Sequence, residues 1–406
     1  MKKLTLSEWE AKYIAGTIER FDPKYHMFSR PIWDPDMRSR LNNWGFLGDV
    51  KDKHGFTLQD QALRWGSRRG TMIARFKSKI NPDPVLKEPE KATADGDPTK
   101  PEEPEAAANP GRPTATLDTI MPMTYKLPEG VKADTDNPEK ITRDIKKVAR
   151  YFGASLVGVC KLDRRWVNLN EDIPEEFQYA IVMAFEGAYD LMKYYPSYIA
   201  DAVTSMGYSQ MAVTNAYLSA YIEDLGFRAI DSQNDTALSV PMAMQAGLGD
   251  VGRMGLLVTP QFGPRVRLSK VITDLPLMAD SPIEFGVTEF CNACKKCAQL
   301  CPSQSISYGE RTSETDSVSN NPGALKWPTN AETCRMYWGR VNKPCTSCIA
   351  CCPYNKPYTW PHRATLWFTD HMRWADSLYV KLDDFFGYGK PKNAANFWEE
   401  WQPNKH

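Results

Sequence analysis

Apolar residues recur at helical spacing between Pro138 and Gly153, at Ile141, Ile145, Val148, Ala149 and Phe152. That spacing predicts an amphipathic helix stopped by a glycine. Ala154 to Cys160 and Tyr179 to Phe185 are short apolar runs rich in Val and Ile, as buried strands require. A long amphipathic helix follows from about Tyr198 to Leu225, ended by Gly226. Arg228 to Asp231 reads as a third strand and Ser239 to Ala246 as another helix. Leu256 to Thr259 and Val266 to Thr273 read as a hairpin about Phe262-Gly-Pro264. Strands alternating with helices predict a compact α/β core in which helices cover a sheet.

The flanks have different patterns. Residues 1–78 mix charge with Trp9, Tyr13, Phe21, Tyr25, Phe28, Trp33, Trp44, Phe46, Phe56 and Trp65. Here Thr5 to Ile18 has helical character and Pro31 to Pro35 reads as a turn. Lys77 to Thr124 contains no aromatic residue, and eight prolines fall between Pro82 and Pro113. Such a stretch buries too little apolar surface for a core of its own, so 79–136 reads as a linker or surface belt. The core is expected over 137–285 and a cysteine-rich domain over 286–358. An aromatic tail over 359–406, from Trp360 to Trp401, is expected to pack on the core.

Composition changes the picture little. The 406 residues suffice for two or three cores, and fifty basic residues cancel fifty acidic ones. No global field therefore favours nucleic acid. No apolar run reaches the ~18–20 residues of a membrane helix. The start, Met1-Lys-Lys-Leu-Thr-Leu, lacks the apolar segment of a signal peptide, as expected of a cytoplasmic protein or a leaderless mature form.

The chemistry is concentrated in the cysteines. Nine of ten lie between Cys291 and Cys352. Cys291, Cys294, Cys297 and Cys301-Pro302 have the C-x2-C-x2-C-x3-C-P spacing of bacterial two-cluster ferredoxins. Three thiolates two residues apart wrap one face of an iron–sulfur cube, and the fourth reaches another cube. Cys345, Cys348 and Cys352-Pro353 form a second run, with Cys334 upstream. The expected sets are Cys291, Cys294, Cys297 and Cys352 for one [4Fe-4S] cluster and Cys301, Cys334, Cys345 and Cys348 for the other. Cys351, beside Cys352, is the spare or its substitute. Disulfide staples suit short secreted domains, and zinc ribbons lack the middle cysteine. Cys160, in an apolar run, reads as a buried small hydrophobe.

Gly247-Leu-Gly249-Asp-Val-Gly252 matches G-x-G-x-x-G. Nicotinamide folds need that motif between a strand and a helix, whereas here a helix precedes it and a strand follows. Its glycines suit close backbone approach to another large flat cofactor. Asp52-Lys-His54-Gly55 approaches the D-x-H-x-x-G motif that supplies histidine to cobalamin, but Thr57 replaces the final glycine.

Gly207-Tyr-Ser-Gln-Met-Ala212, Ala246 to Arg253, Gly263-Pro-Arg-Val-Arg267-Leu and Thr273 to Leu277, with the double cysteine signature, resemble the catalytic subunit of reductive dehalogenases. Lys147 to Asp163 with Arg165-Trp166 share that resemblance, which covers about 140–360 and, more weakly, Phe28 to Arg38. It implies an α+β chain: a nitroreductase-like cobalamin-binding α/β core with an inserted or appended bacterial two-[4Fe-4S] ferredoxin-like domain. It also implies cobalamin bound base-off and removal of halide from an organohalide. Tyr208 would be the proton donor, Arg267 its cationic support and Asn234 the group between them. Thr204, one turn before Tyr208, is a further pocket candidate. Without the resemblance, Tyr208 reads as helix packing, Arg265 and Arg267 as surface partners on one strand face, and Asn234 as a turn residue.

Two rivals carry the same clusters. An epoxyqueuosine-reductase-like enzyme would need an RNA-binding surface, and its acid is an aspartate. A non-catalytic two-cluster electron carrier leaves 140–280 without a purpose. The resemblance further implies an external low-potential electron donor, with a small membrane-anchor protein and a homodimer as options. The expected place is the outer face of the cytoplasmic membrane, as a peripheral protein, with a cytoplasmic one as the alternative.

Overall fold

The computed structural model describes residues 1–41, 51–80, 132–341 and 344–401. The proline-rich stretch 81–131, Trp44 and Phe46 lie outside the described residues. A four-stranded antiparallel sheet forms the centre. Its strands are β1 (Leu156–Lys161), β2 (Tyr179–Glu186), β3 (Ala229–Ser232) and β4 (Val266–Thr273), in spatial order β1-β2-β4-β3. In register, Phe185 lies opposite Arg267 and Ile230 opposite Ile272.

Both faces of this sheet are covered, which explains why β2 is apolar throughout rather than alternating. Ala180, Val182 and Ala184 face one layer with Cys160, Met242 and Ala243; Ile181, Met183 and Phe185 face another with Ile145, Met211 and Leu218. The period-two alternation of a strand sends neighbours to opposite sides. Four helices matter for the site: α1 (Leu58–Ile80), α2 (Pro138–Tyr151), α3 (Tyr198–Asp224) and α4 (Ser239–Gln245). Asn137 caps α2 by accepting from the Lys140 amide, and Gly153, at φ +117°, takes the chain from that helix toward β1.

Three local expectations are corrected. Leu257–Val258 pairs with Asp250–Val251 rather than with β4, so the hairpin about Phe262 is reduced to a single Thr259–Gly263 bridge. The β4 edges are already taken by β2 and β3, which leaves no partner position for it. Pro31 to Pro35 is not a simple turn: prolines open two short helices, Arg30–Trp33 and Pro35–Arg40, the second capped by Asp34. The helix expected over Thr5 to Ile18 is confined to Leu6–Tyr13, opened by a Thr5–Glu8 capping box.

Nor does the N-terminal stretch keep to itself. Lys2–Lys3 pairs with Ile283–Glu284, and Trp9 and Tyr13 join the hydrophobic layer beneath β1 and β2. The Tyr13 hydroxyl donates to Asp250 Oδ1 at 2.7 Å. The aromatic tail contacts two bodies. Phe397 packs on Tyr194 and Ile199, while Leu366, Tyr379 and Val380 pack on the cysteine-rich layer. Other rings stay outside, with Trp374 79% and Phe385 81% exposed. Lys296, between two cysteines, is buried and ion-paired with Asp383 at 2.6 Å and Asp384 at 2.7 Å, which clamps the helix Asp376–Phe385 to the cysteine loop.

Candidate active site

Helix α3 presents Thr204 and Tyr208 one turn apart, toward β4. From β4, Arg267 reaches across. Its Nη2 donates to Thr204 Oγ1 at 3.1 Å, and its guanidinium carbon lies 5.0 Å from the centre of the Tyr208 ring. Asn234, in the loop between β3 and α4, donates from Nδ2 to the Tyr208 hydroxyl at 3.1 Å. Tyr208, Arg267 and Thr204 are half-buried and Asn234 is exposed, so the group opens to one side. Residues far apart in sequence thus meet at one phenol.

Gly207 makes this crossing sterically feasible. A Cβ there would lie 2.6 Å from Arg267 Cγ and 3.3 Å from its Cβ. A glycine inside a helix costs about 0.5–1 kcal/mol, so its presence marks a close approach. Arg265, one residue before β4, is engaged elsewhere. It is 2% exposed, pairs with Glu186 at 2.7 Å and donates to Asn355 Oδ1 and the Lys356 carbonyl, joining the sheet to the cysteine-rich part.

Two positioning residues escaped sequence reasoning. Lys270, fully buried at 0% exposure, donates to the Gln233 carbonyl at 2.8 Å and to Ser239 Oγ at 3.1 Å. It fixes the residue next to Asn234. Burial pushes its pKa down to about 8, partly opposed by Asp235 and Asp231. Asn215, two turns beyond Tyr208, donates to Asp231 Oδ1 and the Ser232 carbonyl and accepts from Ser269 Oγ at 2.6 Å. The available signal was a lysine inside the apolar strand pattern of β4 and an asparagine inside a helix. Beneath the site, Asp201 pairs with Arg64 of α1, both buried; burial raises the carboxyl, with Arg64, Arg68 and Arg267 opposing.

The eight expected cysteine ligands fall into two neighbourhoods. Cys291, Cys294, Cys297 and Cys352 line one cavity with Arg253, Phe290 and Tyr354. Burial, then the charges of Cys291, Cys294 and Cys297, raises the Cys352 thiol; burial, then Cys345 and Cys301, raises Cys334 to about 12. Cys348 feels Cys351 and Cys345 first after burial, then Cys334 and Cys297, so the two neighbourhoods adjoin. Cys294 is pushed up to about 11 and Cys297 to about 12, mainly by burial. Cys351, wholly buried, donates its thiol to the Cys348 carbonyl at 3.7 Å. All ten cysteines are free, and Cys160 is packed in the core. Among the described residues no three His, Cys, Asp or Glu side chains converge as a single metal ion would need.

The glycine motif is accounted for by the chain itself. A Cβ at Gly247 would lie 2.5 Å from the Ser281 carbonyl oxygen, at Gly249 2.2 Å from that of Val258, and at Gly252 2.9 Å from a Val258 methyl. These positions let a tight turn pack on its own backbone, so a flat cofactor is not needed to explain them. The described histidines lie elsewhere: His362 meets the Pro260 carbonyl, His26 stacks on Phe28, His371 on Trp367, and His54 is exposed.

Comparison with known proteins points to one class, the reductive dehalogenases. No family model matches the chain. In sequence, however, it is similar to curated reductive dehalogenases. Over 302 residues it is 37% identical to the tetrachloroethene reductive dehalogenase of Sulfurospirillum multivorans, covering 66% of this chain and 60% of that protein. Over 314 residues it is 35% identical to the tetrachloroethene reductive dehalogenase of Desulfitobacterium hafniense, covering 65% of this chain and 57% of that one. The chain thus spans about 60% of the length of these relatives. A reductive dehalogenase structure described as suggesting a mechanism for B12-dependent dehalogenation superposes with a TM-score of 0.60 at 28% identity, over 67% of this chain and 40% of that one. A catabolic reductive dehalogenase superposes with a TM-score of 0.68 at 21% identity, over 98% and 50%, and supports the α+β fold.

Proposed function

We propose that this chain is a corrinoid- and iron–sulfur-dependent reductive dehalogenase. It would convert an organohalide, two electrons and one proton into the reduced carbon compound and halide. The observation that carries this reading is the meeting of Tyr208, Asn234, Arg267 and Thr204 at one open phenol.

The residues present fit both cofactors. Two neighbourhoods of four thiols suit two four-iron cubes, whose ligands stand farther apart than those of a single ion. Burial raises the thiols of Cys294, Cys297 and Cys334, and a bound metal would supply the compensating positive charge. Among the described residues, those bonded together around Tyr208 are a hydroxyl, an amide and a guanidinium, with no imidazole or carboxylate, which suits a corrin held base-off. When bound, the clusters and the cobalt supply the electrons and the reducing centre. On this reading the sheet with its helices is a nitroreductase-like core, and 286–358 is a ferredoxin-like module fed by an external low-potential donor.

The chain's own residues handle the proton. Asn234 donates to the Tyr208 oxygen, so that oxygen's own proton points elsewhere and is available to substrate. A tyrosine ordinarily holds its proton to a pKa of ~10. The Arg267 cation, braced by Thr204, stabilises the phenolate left behind. Among the described residues no helix is long and apolar enough to cross a membrane.

The test is anaerobic halide release with reduced viologen after loading with corrinoid, iron and sulfide. Chlorinated alkenes should head the panel, because the relatives are named for tetrachloroethene. Tyr208→Phe should lower turnover ~100-fold or more while cobalt and iron content stay at wild-type levels. Unchanged turnover would remove Tyr208 from the reaction, and failure to bind cobalt would end the corrinoid reading.

A further inference from the structure

The glycine motif Gly247 to Gly252 ends in Arg253, and the turn it builds delivers that arginine to the cysteines. Asp250–Val251 and Leu257–Val258 form a two-stranded ribbon, closed by the Gly252 amide donating to the Leu256 carbonyl at 3.0 Å. Arg253 stands in the turn of the ribbon, 1% exposed, with its guanidinium 4.6 Å from the ring centre of Trp327. Nε donates to the carbonyl of Cys291 at 3.0 Å; Nη1 donates to those of Ser307 at 2.7 Å and Gly309 at 3.0 Å. Three carbonyls therefore lock the plane of the guanidinium. Nη2 is buried and has no hydrogen-bond partner among the described residues. Arg253 also lines the cavity shared by Cys291, Cys294, Cys297 and Cys352.

A buried guanidinium with an unmade N–H bond incurs a desolvation penalty unless an acceptor arrives. An iron–sulfur cluster in that cavity presents sulfur acceptors and net negative charge. We infer that Arg253 Nη2 donates a hydrogen bond to a sulfur of the cluster held by Cys291, Cys294, Cys297 and Cys352, and thereby raises that cluster's reduction potential above what its burial alone would set. Hydrogen bonds to sulfur and nearby charge are the protein's means of setting such potentials. The inference rests on the two-cluster reading. Arg253 is a positioning and tuning residue in this account, since it touches the cluster and not the substrate.

The experiment uses the full chain, reconstituted anaerobically, and redox titration followed by electron paramagnetic resonance. In Arg253→Gln one midpoint should fall so that the reduced-to-oxidised ratio at fixed potential drops at least tenfold, 59 mV for one electron. The other midpoint should stay put, and Arg253→Lys should recover part of the loss. Clusters present with both midpoints unmoved would overturn the inference alone. Absence of any four-iron signal would overturn the cluster reading and this inference with it. If Arg253→Gln does not retain the cluster, the wild-type protein decides. Electron–nuclear double resonance in H2O against D2O should reveal an exchangeable proton coupled to the reduced cluster and weakened in Arg253→Lys; no such proton in the wild type refutes the hydrogen bond.

Discussion

Gly207→Ala separates the Arg267–Tyr208 relation from both residues' own chemistry. The new Cβ would stand 2.6 Å from Arg267 Cγ, an atom too near the backbone to swing aside without a change of rotamer. A new rotamer carries the guanidinium off Thr204 and off the Tyr208 ring. Alanine gains about 0.5–1 kcal/mol of helix propensity, and crowding costs about 1–3 kcal/mol, so the fold should lose at most about 2.5 kcal/mol. The functional loss is larger relative to its source. A unit charge 5.0 Å from the ring centre is worth about 3 kcal/mol to a phenolate at an effective dielectric of ~20, and about half that in this half-exposed setting. That corresponds to roughly a tenfold fall in kcat. Halide release should show it, with KM little changed, cobalt and iron intact and only a few degrees lost in Tm. A kcat within a factor of two of wild type would refute the claim that Arg267 acts on the phenol.

Two other expectations follow from the same geometry. Cys352→Ala should lose about half the iron, since one cube loses a ligand, whereas Cys351→Ala should keep it; the reverse pattern would exchange their roles. Lys270→Met should loosen the Asn234 loop and carries a pH signature. The folded pKa of about 8 lies below the unfolded ~10.4, so as pH falls through that window the unfolded chain takes the proton first and the folded state loses stability. Raising pH from 8 to 10 should therefore stabilise the wild type relative to Lys270→Met, by about 2 kcal/mol in denaturant titrations of the metal-free protein. A flat difference would show that Lys270 is not held in the low-pKa state.

What the sequence determined by itself was local. Cysteine spacing specifies how many thiols one turn can offer a cube, and apolar periodicity places α2, α3, β1 and β2 within a residue or two, because both depend on neighbours in the chain. Tyr208, Asn234 and Arg267 became visible through resemblance; their own patterns read as packing, a turn and a surface pair. The tertiary structure decided which groups meet. It joined Asn234 to Tyr208, laid Arg267 over Gly207, sent Arg265 to Asn355, and paired Lys2–Lys3 with Ile283–Glu284. It turned a glycine motif into the support of Arg253, and Lys270 from a misfit in a strand into the anchor of a loop. Such contacts depend on strand order and on which face a side chain takes, and no local period encodes either.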